Sequence, residues 1–285
     1  MLDAIKTPFQ STRNLPQVLT SYDLLKSLAL ILMLVDHIGY FFFPDESWFR
    51  VIGRLSVPIW FFLSGYANTR QVQSVIWIGA LVVAFSTVVS GEYILPFNIL
   101  ISLAIARLWI DRIMAGALQS YESFAGMFFL LFFLSFPTMF LFEYGTMALM
   151  FTVMGYLRRH KEGVSINNFA LFGFLAAIAI FYTVISGLLI TAFSSVQMWF
   201  LTAGMVFLMV VLFTFQGREY AGVSKRLGVL VAPLKIMGRH TLFIYALHLL
   251  VFRCVALFLD DDRFAFFEVE WMPPLFAQII QSFIG

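Results

Sequence analysis

The recurrence of apolar runs about twenty residues long is the strongest constraint on how this chain folds. A membrane-spanning helix needs about 20 predominantly apolar residues, whereas a membrane-spanning strand shows short segments of alternating polarity. The runs occur in a chain of 285 residues that is 61% hydrophobic and 12% charged. Soluble domains carry roughly 25% charged residues. The sequence therefore predicts an all-α, polytopic helical bundle integral to a membrane.

Nine membrane spans are predicted. With the N-terminus in the cytoplasm, most Lys and Arg residues fall on the cytoplasmic side, as the positive-inside rule expects. An odd number of spans then puts the C-terminus outside, and the expected location is a bacterial cytoplasmic (inner) membrane. The spans lie near residues 24–43, 51–68, 72–90, 94–110, 122–141, 144–157, 168–187, 196–215 and 239–259.

Three regions follow from this topology. Residues 1–23 are predicted to be a cytoplasmic leader lying at the interface, and residues 24–259 a single transmembrane bundle. Residues 260–285 form an acidic outer tail whose last part is predicted to be an interfacial helix. The loops between spans are short, so any chemistry must use the bundle and its rims.

The first predicted span carries three ionisable residues, Lys26, Asp36 and His37. Charged groups at membrane depth are unfavourable and point to function. Lys26 and His37 are eleven residues apart, so they project in nearly the same direction from a helix. We therefore predict His37 as a general base. Asp36 projects about 100° away from His37 and is expected to pair with a cation on a neighbouring helix, Arg54 being the candidate.

The second predicted span places Arg54 before Pro58 and Ser64. An arginine in this position can hold a carboxylate such as Asp36 or stabilise a developing oxyanion. The alternative is an arginine whose charged end reaches the interface from an apolar stem. Pro58 frees a backbone carbonyl and so helps to shape a pocket, to which Ser64 would contribute.

The last predicted span aligns Thr241, Tyr245 and His248 on one face. Such a polar stripe is expected to face protein rather than lipid. His248 is either a partner of the first helix in the site or a packing residue, and the sequence leaves both possibilities open. Asn98 and Glu143 are further polar residues at predicted span ends, expected to support the substrate or each other.

A basic cytoplasmic rim could hold the phosphates of a nucleotide-containing donor. The positive-inside rule alone would produce the same residues. The single cysteine and the lack of a zinc signature predict no metal site, and the net charge of +2 gives no indication of nucleic-acid binding. The residues assigned to the donor are Arg107, Arg158, Arg159 and Arg239.

Several of these motifs resemble the TraX-like branch of the transmembrane acyltransferases, which is related to the acyltransferase-3 family. The resemblance covers most of residues 22–252. Its motifs are Lys26 followed by Asp36-His37-Ile38-Gly39, Gly53-Arg54-Leu55-Ser56-Val57-Pro58, Phe62-Leu63-Ser64-Gly65-Tyr66, Pro96-Phe97-Asn98-Ile99-Leu100, Glu143-Tyr144-Gly145, and Gly238-Arg239 with Leu242, Tyr245 and His248.

The resemblance implies transfer of an acetyl group from cytoplasmic acetyl-CoA to an acceptor at the outer face. The acceptor would be a glycan hydroxyl of the cell envelope or a protein N-terminal amine such as that of pilin. His37 would be catalytic, with Lys26 standing where the acyltransferase-3 family usually has arginine. Direct transfer and an acyl-histidine intermediate both remain open, as do the acyl chain length and the oligomeric state.

Two other classes of function are compatible with the sequence. In a small transporter or channel, Lys26, Asp36 and His37 would line a proton or substrate path and no CoA would be needed. A purely structural membrane subunit would tolerate apolar residues at His37 and Arg54.

Overall fold

Helices make up almost all regular structure in the computed structural model, which describes residues 18–160, 168–190, 193–259 and 263–284. Within these ranges there is no β-strand, only two isolated bridges. The all-α prediction is confirmed. The helices are α1 Ser21–Phe42, α2 Ser47–Gly53, α3 Ser56–Tyr66, α4 Ser74–Val89, α5 Ile99–Ala117, α6 Tyr121–Thr138, α7 Met147–Arg159, α8 Asn168–Val184, α9 Ser195–Thr214, α10 Ala221–Leu227, α11 Val231–Arg239, α12 Thr241–Phe258 and α13 Pro274–Ile284.

Five helices among the described residues are long and apolar enough to cross a membrane. They are Ser21–Phe42, Tyr121–Thr138, Phe169–Gly187, Ser195–Thr214 and Thr241–Phe258, and Ser74–Val89 is a shorter apolar helix. The chain is thus a multi-pass membrane protein, whereas the count of nine spans and the orientation of the termini stay predictions.

Two of the predicted spans differ from simple crossing helices. The second, residues 51–68, is divided between α2 and α3, with the break at Arg54 and Leu55. The sixth, residues 144–157, corresponds to α7, which has only 13 residues. Short helices are tolerated at membrane depth where protein surrounds them. That is the case for α3, in which ten of the eleven residues, from Ser56 to Tyr66 except Trp60, are buried.

The helices α3 and α7 pack backbone against backbone through two glycines. A Cβ atom on Gly65 would overlap the carbonyl oxygen of Thr152, and one on Gly155 would overlap the carbonyl oxygen of Phe62. Small residues permit this close approach, which is a common basis of helix association in membranes. The contact fixes α3 in the centre of the bundle.

The N-terminus of α1 is set by a capping box. Thr20 accepts a hydrogen bond from the backbone N–H of Asp23, and the Asp23 carboxylate accepts one from the backbone N–H of Thr20. Asp23 also forms an ion pair with Arg239 at the end of α11, 3.3 Å away. Most of the predicted leader lies outside the described residues, as do Asp260, Asp261 and Asp262 of the acidic tail.

The chain after α12 returns to the bundle. The backbone N–H of Leu95 donates to the carbonyl of Trp271 at 2.9 Å, and Phe140 packs edge-on against Phe276 of α13. The predicted terminal helix therefore exists and packs against the loop after α6, and the segment before it pairs with the loop before α5.

Candidate active site

His37 and His248 meet between α1 and α12. Their nitrogens Nδ1 and Nε2 are 2.7 Å apart, and the two rings stack with centroids 5.0 Å apart. Thr241, Tyr245 and His248 are all buried on one side of α12, as their spacing predicts. His248 is thus a direct partner of the first helix.

The hydrogen bonds of His248 determine which nitrogen of His37 can act as a base. Nδ1 of His248 lies 3.0 Å from the carbonyl of Ile244, and it must donate because a carbonyl only accepts. In neutral His248, Nε2 is then an acceptor, so Nδ1 of His37 donates to it. The remaining nitrogen of neutral His37, Nε2, carries a lone pair and has no hydrogen-bond partner among the described residues.

Asp36 faces α2 and the break after it. Its Oδ2 accepts a hydrogen bond from Nη1 of Arg50 at 2.5 Å, whereas Nε of Arg54 lies 4.0 Å from Oδ1. The sequence correctly expected an arginine beside Asp36. It missed Arg50, which is the closer of the two cations.

Gly53 makes this arrangement possible. A Cβ atom at Gly53 would overlap the backbone and Cβ of Asp36. The close approach brings the end of α2 against α1, and both Arg50 and Arg54 then reach the same carboxylate.

Arg54 is buried, 5% exposed, at the break between α2 and α3. Its Nη1 donates to the hydroxyl of Tyr144 at 2.7 Å, and its carbonyl accepts from the hydroxyl of Tyr182 at 2.6 Å. Nε of Arg54 and Oδ1 of Asp36 are buried without a hydrogen bond in the described part of the chain. These two atoms are the pair separated by 4.0 Å, so the unsatisfied N–H lies beside the Asp36 carboxylate.

His37 lines a cavity of about 420 Å³, here called the His37 cavity. Arg253 and Glu92 form an ion pair in its wall, and Arg253 also donates to Ser86 at 2.8 Å. Tyr245 lines the cavity 6.3 Å from the His37 ring, centroid to centroid. The charged residues of the wall are Asp36, Arg50, Arg54, Glu92, Glu143 and Arg253.

Glu143 belongs to the loop between α6 and α7 and lines the same cavity. Burial raises the pKa of Glu143 to about 7, against the opposing effect of the positive charges on Arg54 and Arg253. The loop is held by a hydrogen bond from the backbone N–H of Glu143 to the carbonyl of Phe97 at 3.0 Å. A carboxyl group that titrates near neutral pH therefore lies within the cavity wall.

Lys26 lines a second cavity of about 710 Å³, here called the Lys26 cavity. Its lining residues include no Asp or Glu, and Lys26 has no hydrogen-bond acceptor among the described residues. Three buried donors at its wall also lack hydrogen-bond partners in the described ranges. They are Nε1 of Trp60, Oγ of Ser64 and Nε of Arg107.

The two cavities lie at opposite ends of shared helices. In α1 the Lys26 cavity is lined by Tyr22 and Lys26, and the His37 cavity by Asp36, His37, Tyr40 and Phe41. In α12, Thr241 lines the Lys26 cavity and Tyr245 the His37 cavity, one helical turn apart.

Other predicted residues already have structural partners. Asn98 caps α5 through the N–H of Leu100 and donates to the carbonyl of Ala80 at 3.1 Å, although it also lines the His37 cavity. Thr241 donates to the carbonyl of Met237 at 2.7 Å. Arg239, paired with Asp23, lines the Lys26 cavity together with Arg107.

Two of the arginines assigned to the donor do not line this cavity. Arg158 donates to the carbonyl of Phe215 at 2.8 Å, and Arg159 lies over the ring of Tyr66, 5.4 Å from its centroid. Of the four predicted donor residues, the structure therefore brings only Arg107 and Arg239 to the Lys26 cavity.

A sequence profile described as TraX protein matches residues 21–256 of this chain. The chain belongs to the TraX family. The matched range contains α1 to α11 and nearly all of α12, including His37, Arg54 and His248. A relation of TraX proteins to the acyltransferase-3 family remains a prediction.

One similar protein is an uncharacterized protein of Rickettsia prowazekii (strain Madrid E). It is 29% identical over 147 residues, which is 50% of this chain and 58% of that relative. No solved structure matches.

Proposed function

We propose that this TraX-family protein is a membrane acyltransferase that moves an acetyl group from acetyl-CoA to a hydroxyl or amine. The observation that carries the proposal is the hydrogen-bonded series from Ile244 through His248 to His37. It leaves Nε2 of His37 as the basic nitrogen of a residue that lines a cavity.

The reaction follows from that nitrogen. The acceptor O–H or N–H gives its proton to Nε2 of His37 as its oxygen or nitrogen attacks the thioester carbonyl. The new C–O or C–N bond forms, the C–S bond breaks, and the proton passes from His37 to the leaving thiolate to give CoA as the free thiol. His248 acts as a positioning residue, because it fixes the tautomer and ring orientation of His37.

Arg54 is proposed to stabilise the tetrahedral oxyanion. It lines the His37 cavity, and Tyr144 and Tyr182 hold it in place. A preorganised donor in a site of low dielectric constant stabilises developing charge more than the same donor does in water. Asp36, held between Arg50 and Arg54, would keep the guanidinium oriented.

The Lys26 cavity is proposed as the donor site. Lys26 and Arg107 give it positive charge, whereas Arg239 is already paired with Asp23. The lining has no acidic residue to oppose a phosphate. Lys26, which has no hydrogen-bond acceptor among the described residues, would gain one from the phosphate oxygens of a bound acyl-CoA. With the predicted orientation, this cavity faces the cytoplasm, where acetyl-CoA is made.

Reconstitution in proteoliposomes tests the catalytic assignment. Acetyl-CoA is supplied with candidate envelope glycans and pilin peptides, and acetylated product is detected by mass spectrometry. His37→Gln is expected to lower the transfer rate by about 10² to 10⁴. His160→Gln, at an exposed histidine, is the matched control and should keep the wild-type rate. Full activity of a folded His37→Gln protein would refute the role of His37.

A transporter or channel is the second candidate, because two cavities at opposite ends of shared helices also suit a transport path. Acetyl-CoA distinguishes the two functions: a ligand that binds the folded state raises its stability. Stabilisation by acetyl-CoA that is reduced in Arg107→Ala favours the transferase. Substrate flux with no effect of acetyl-CoA on stability favours transport.

A further inference from the structure

The His37 cavity has two chemically different walls. One is the charged wall formed around Asp36, Arg50, Arg54 and Arg253. The other, here called the apolar wall, comes from the loop before α5, the loop after α6, and α13. Its residues are Ile94, Phe97, Met139, Phe140, Phe276 and Ile279.

The three segments of the apolar wall are joined by specific contacts. Phe140 and Phe276 have ring centroids 4.8 Å apart, and the N–H of Leu95 donates to the carbonyl of Trp271 at 2.9 Å. The N–H of Phe97 donates to the carbonyl of Leu141, also at 2.9 Å. The apolar wall is therefore held together by defined contacts. The loop that carries Met139 and Phe140 continues to Glu143 and Tyr144, which line the same cavity.

Exposed aromatic residues lie on the segment that leads into α13. Phe266 and Phe267 are exposed, and Trp271 is 72% exposed, directly before the apolar wall residues of α13. Tryptophan and tyrosine are enriched at the membrane–water interface, so Trp271 indicates that this segment lies at that depth. The edge of the His37 cavity beside this segment therefore lies near the membrane surface. At that depth the head group of an amphipathic molecule meets its hydrocarbon chain.

We propose that the acceptor is amphipathic and lipid-borne. Its hydroxyl or amine lies at His37 beside the charged wall, and its hydrocarbon chain lies along the apolar wall formed by Phe140, Phe276 and Ile279. The inference rests on the proposed acyl transfer and names the class of acceptor for that site. A small polar acceptor would leave the apolar wall without an occupant.

Photolabelling of the full-length protein in lipid nanodiscs tests the inference. The probe is an alkyl glucoside with a diazirine at the end of a ten-carbon chain, and mass spectrometry maps the labelled peptides. We expect saturable labelling of peptides containing Phe140 or Phe276, displaced by decyl glucoside and not by methyl glucoside. Peptides from the exposed face of α9, around Phe207, serve as the reference for labelling from the bilayer.

Two substitutions on α13 provide matched variants. Ile279 lines the cavity and the neighbouring Ile280 does not, although both are half-buried. Ile279→Trp should fill the space beside the apolar wall and raise the half-saturating probe concentration about tenfold or more, because the chain loses its contact area. Ile280→Trp should leave it within about twofold.

The outcomes separate this inference from the proposed function. Labelling that never saturates, or that methyl glucoside displaces as well as decyl glucoside does, would overturn the lipid-borne acceptor. Labelling should persist in His37→Gln, since chain binding does not need the base. Acetyl transfer to a water-soluble acceptor without saturable labelling would leave the transferase standing and refute the acceptor class.

Discussion

Nη1 of Arg54 lies 2.7 Å from the hydroxyl oxygen of Tyr144, a residue whose backbone has a φ of +67°. Non-glycine residues rarely adopt this left-handed conformation, and such residues concentrate at functional sites. The strain is maintained by the surrounding structure, which includes the hydrogen bond between the N–H of Gly145 and the carbonyl of Phe142 at 2.9 Å. The contact joins the α6–α7 loop to the break between α2 and α3.

Tyr144→Phe removes the acceptor for Nη1 of Arg54. We expect the free energy of unfolding to fall by about 1–3 kcal/mol, because a buried donor loses its partner. Acetyl transfer should fall as well, since Arg54 is no longer held. Tyr121→Phe, at an exposed tyrosine, is the control. Denaturant unfolding in detergent micelles measures stability, and an unchanged value would contradict the assigned role of the hydrogen bond.

His248→Ala removes the acceptor for Nδ1 of His37. We expect transfer to fall about tenfold or more while the KM for acetyl-CoA stays near wild type, because donor binding uses the other cavity. Nitrogen NMR of labelled histidine should show His37 released from the Nδ1–H tautomer. A lower rate with the tautomer of His37 unchanged would indicate that His248 only supports packing.

Glu143 predicts a specific dependence of stability on pH. The raised pKa of about 7 means that the folded state binds more protons than the unfolded state between about pH 4.5 and 7. Stability from this group is complete below pH 4.5 and is lost as the pH rises through 7. Glu143→Gln should flatten that fall, whereas Glu122→Gln, at an exposed carboxylate, should retain it. Thermal unfolding between pH 5 and 8 gives the comparison.

Gly53→Ala should force α2 away from Asp36. The added Cβ overlaps the Asp36 backbone, and overpacking of this kind lowers stability by about 1–3 kcal/mol. Transfer should fall too, as Arg50 and Arg54 move from the carboxylate. A Cβ at Gly126 in α6 meets nothing within 4 Å, so Gly126→Ala is the control. Equal stability of the two variants would show that α2 adjusts freely.

The sequence predicted the components of the site better than their pairing. Apolar runs located several of the helices, and helical spacing placed Thr241, Tyr245 and His248 on one face. It also identified Lys26 and His37, because charges within apolar runs stand out. Arg50 lies nearer to Asp36 than Arg54 does because of the helix break and the close approach at Gly53. Helical periodicity in the sequence predicts neither feature.

The sequence also did not predict which residues from distant parts of the chain are in contact. Glu92 and Arg253 are 161 residues apart, and Tyr182 reaches Arg54 across 128 residues. A local pattern carries no information about which of these residues meet. The sequence did contain one indication of such a contact. Arg253 is a charged residue inside the last apolar run, and a charge there needs a partner. Tyr144 lay within a recognised motif, yet its contact with Arg54 required the fold of the α6–α7 loop.

The arrangement of the two cavities changes the effective thickness of the membrane. A hydrocarbon core is about 30 Å thick. Along α12, Tyr245 of one cavity follows Thr241 of the other by four positions, a rise of about 6 Å. Along α1, Asp36 follows Lys26 by ten positions, a rise of about 15 Å. If water fills both cavities, most of a transmembrane voltage falls across this thin partition. In the proposed transfer, the thioester of a donor held in the Lys26 cavity has to cross this partition to reach His37, so the two cavities must join there when acetyl-CoA is bound.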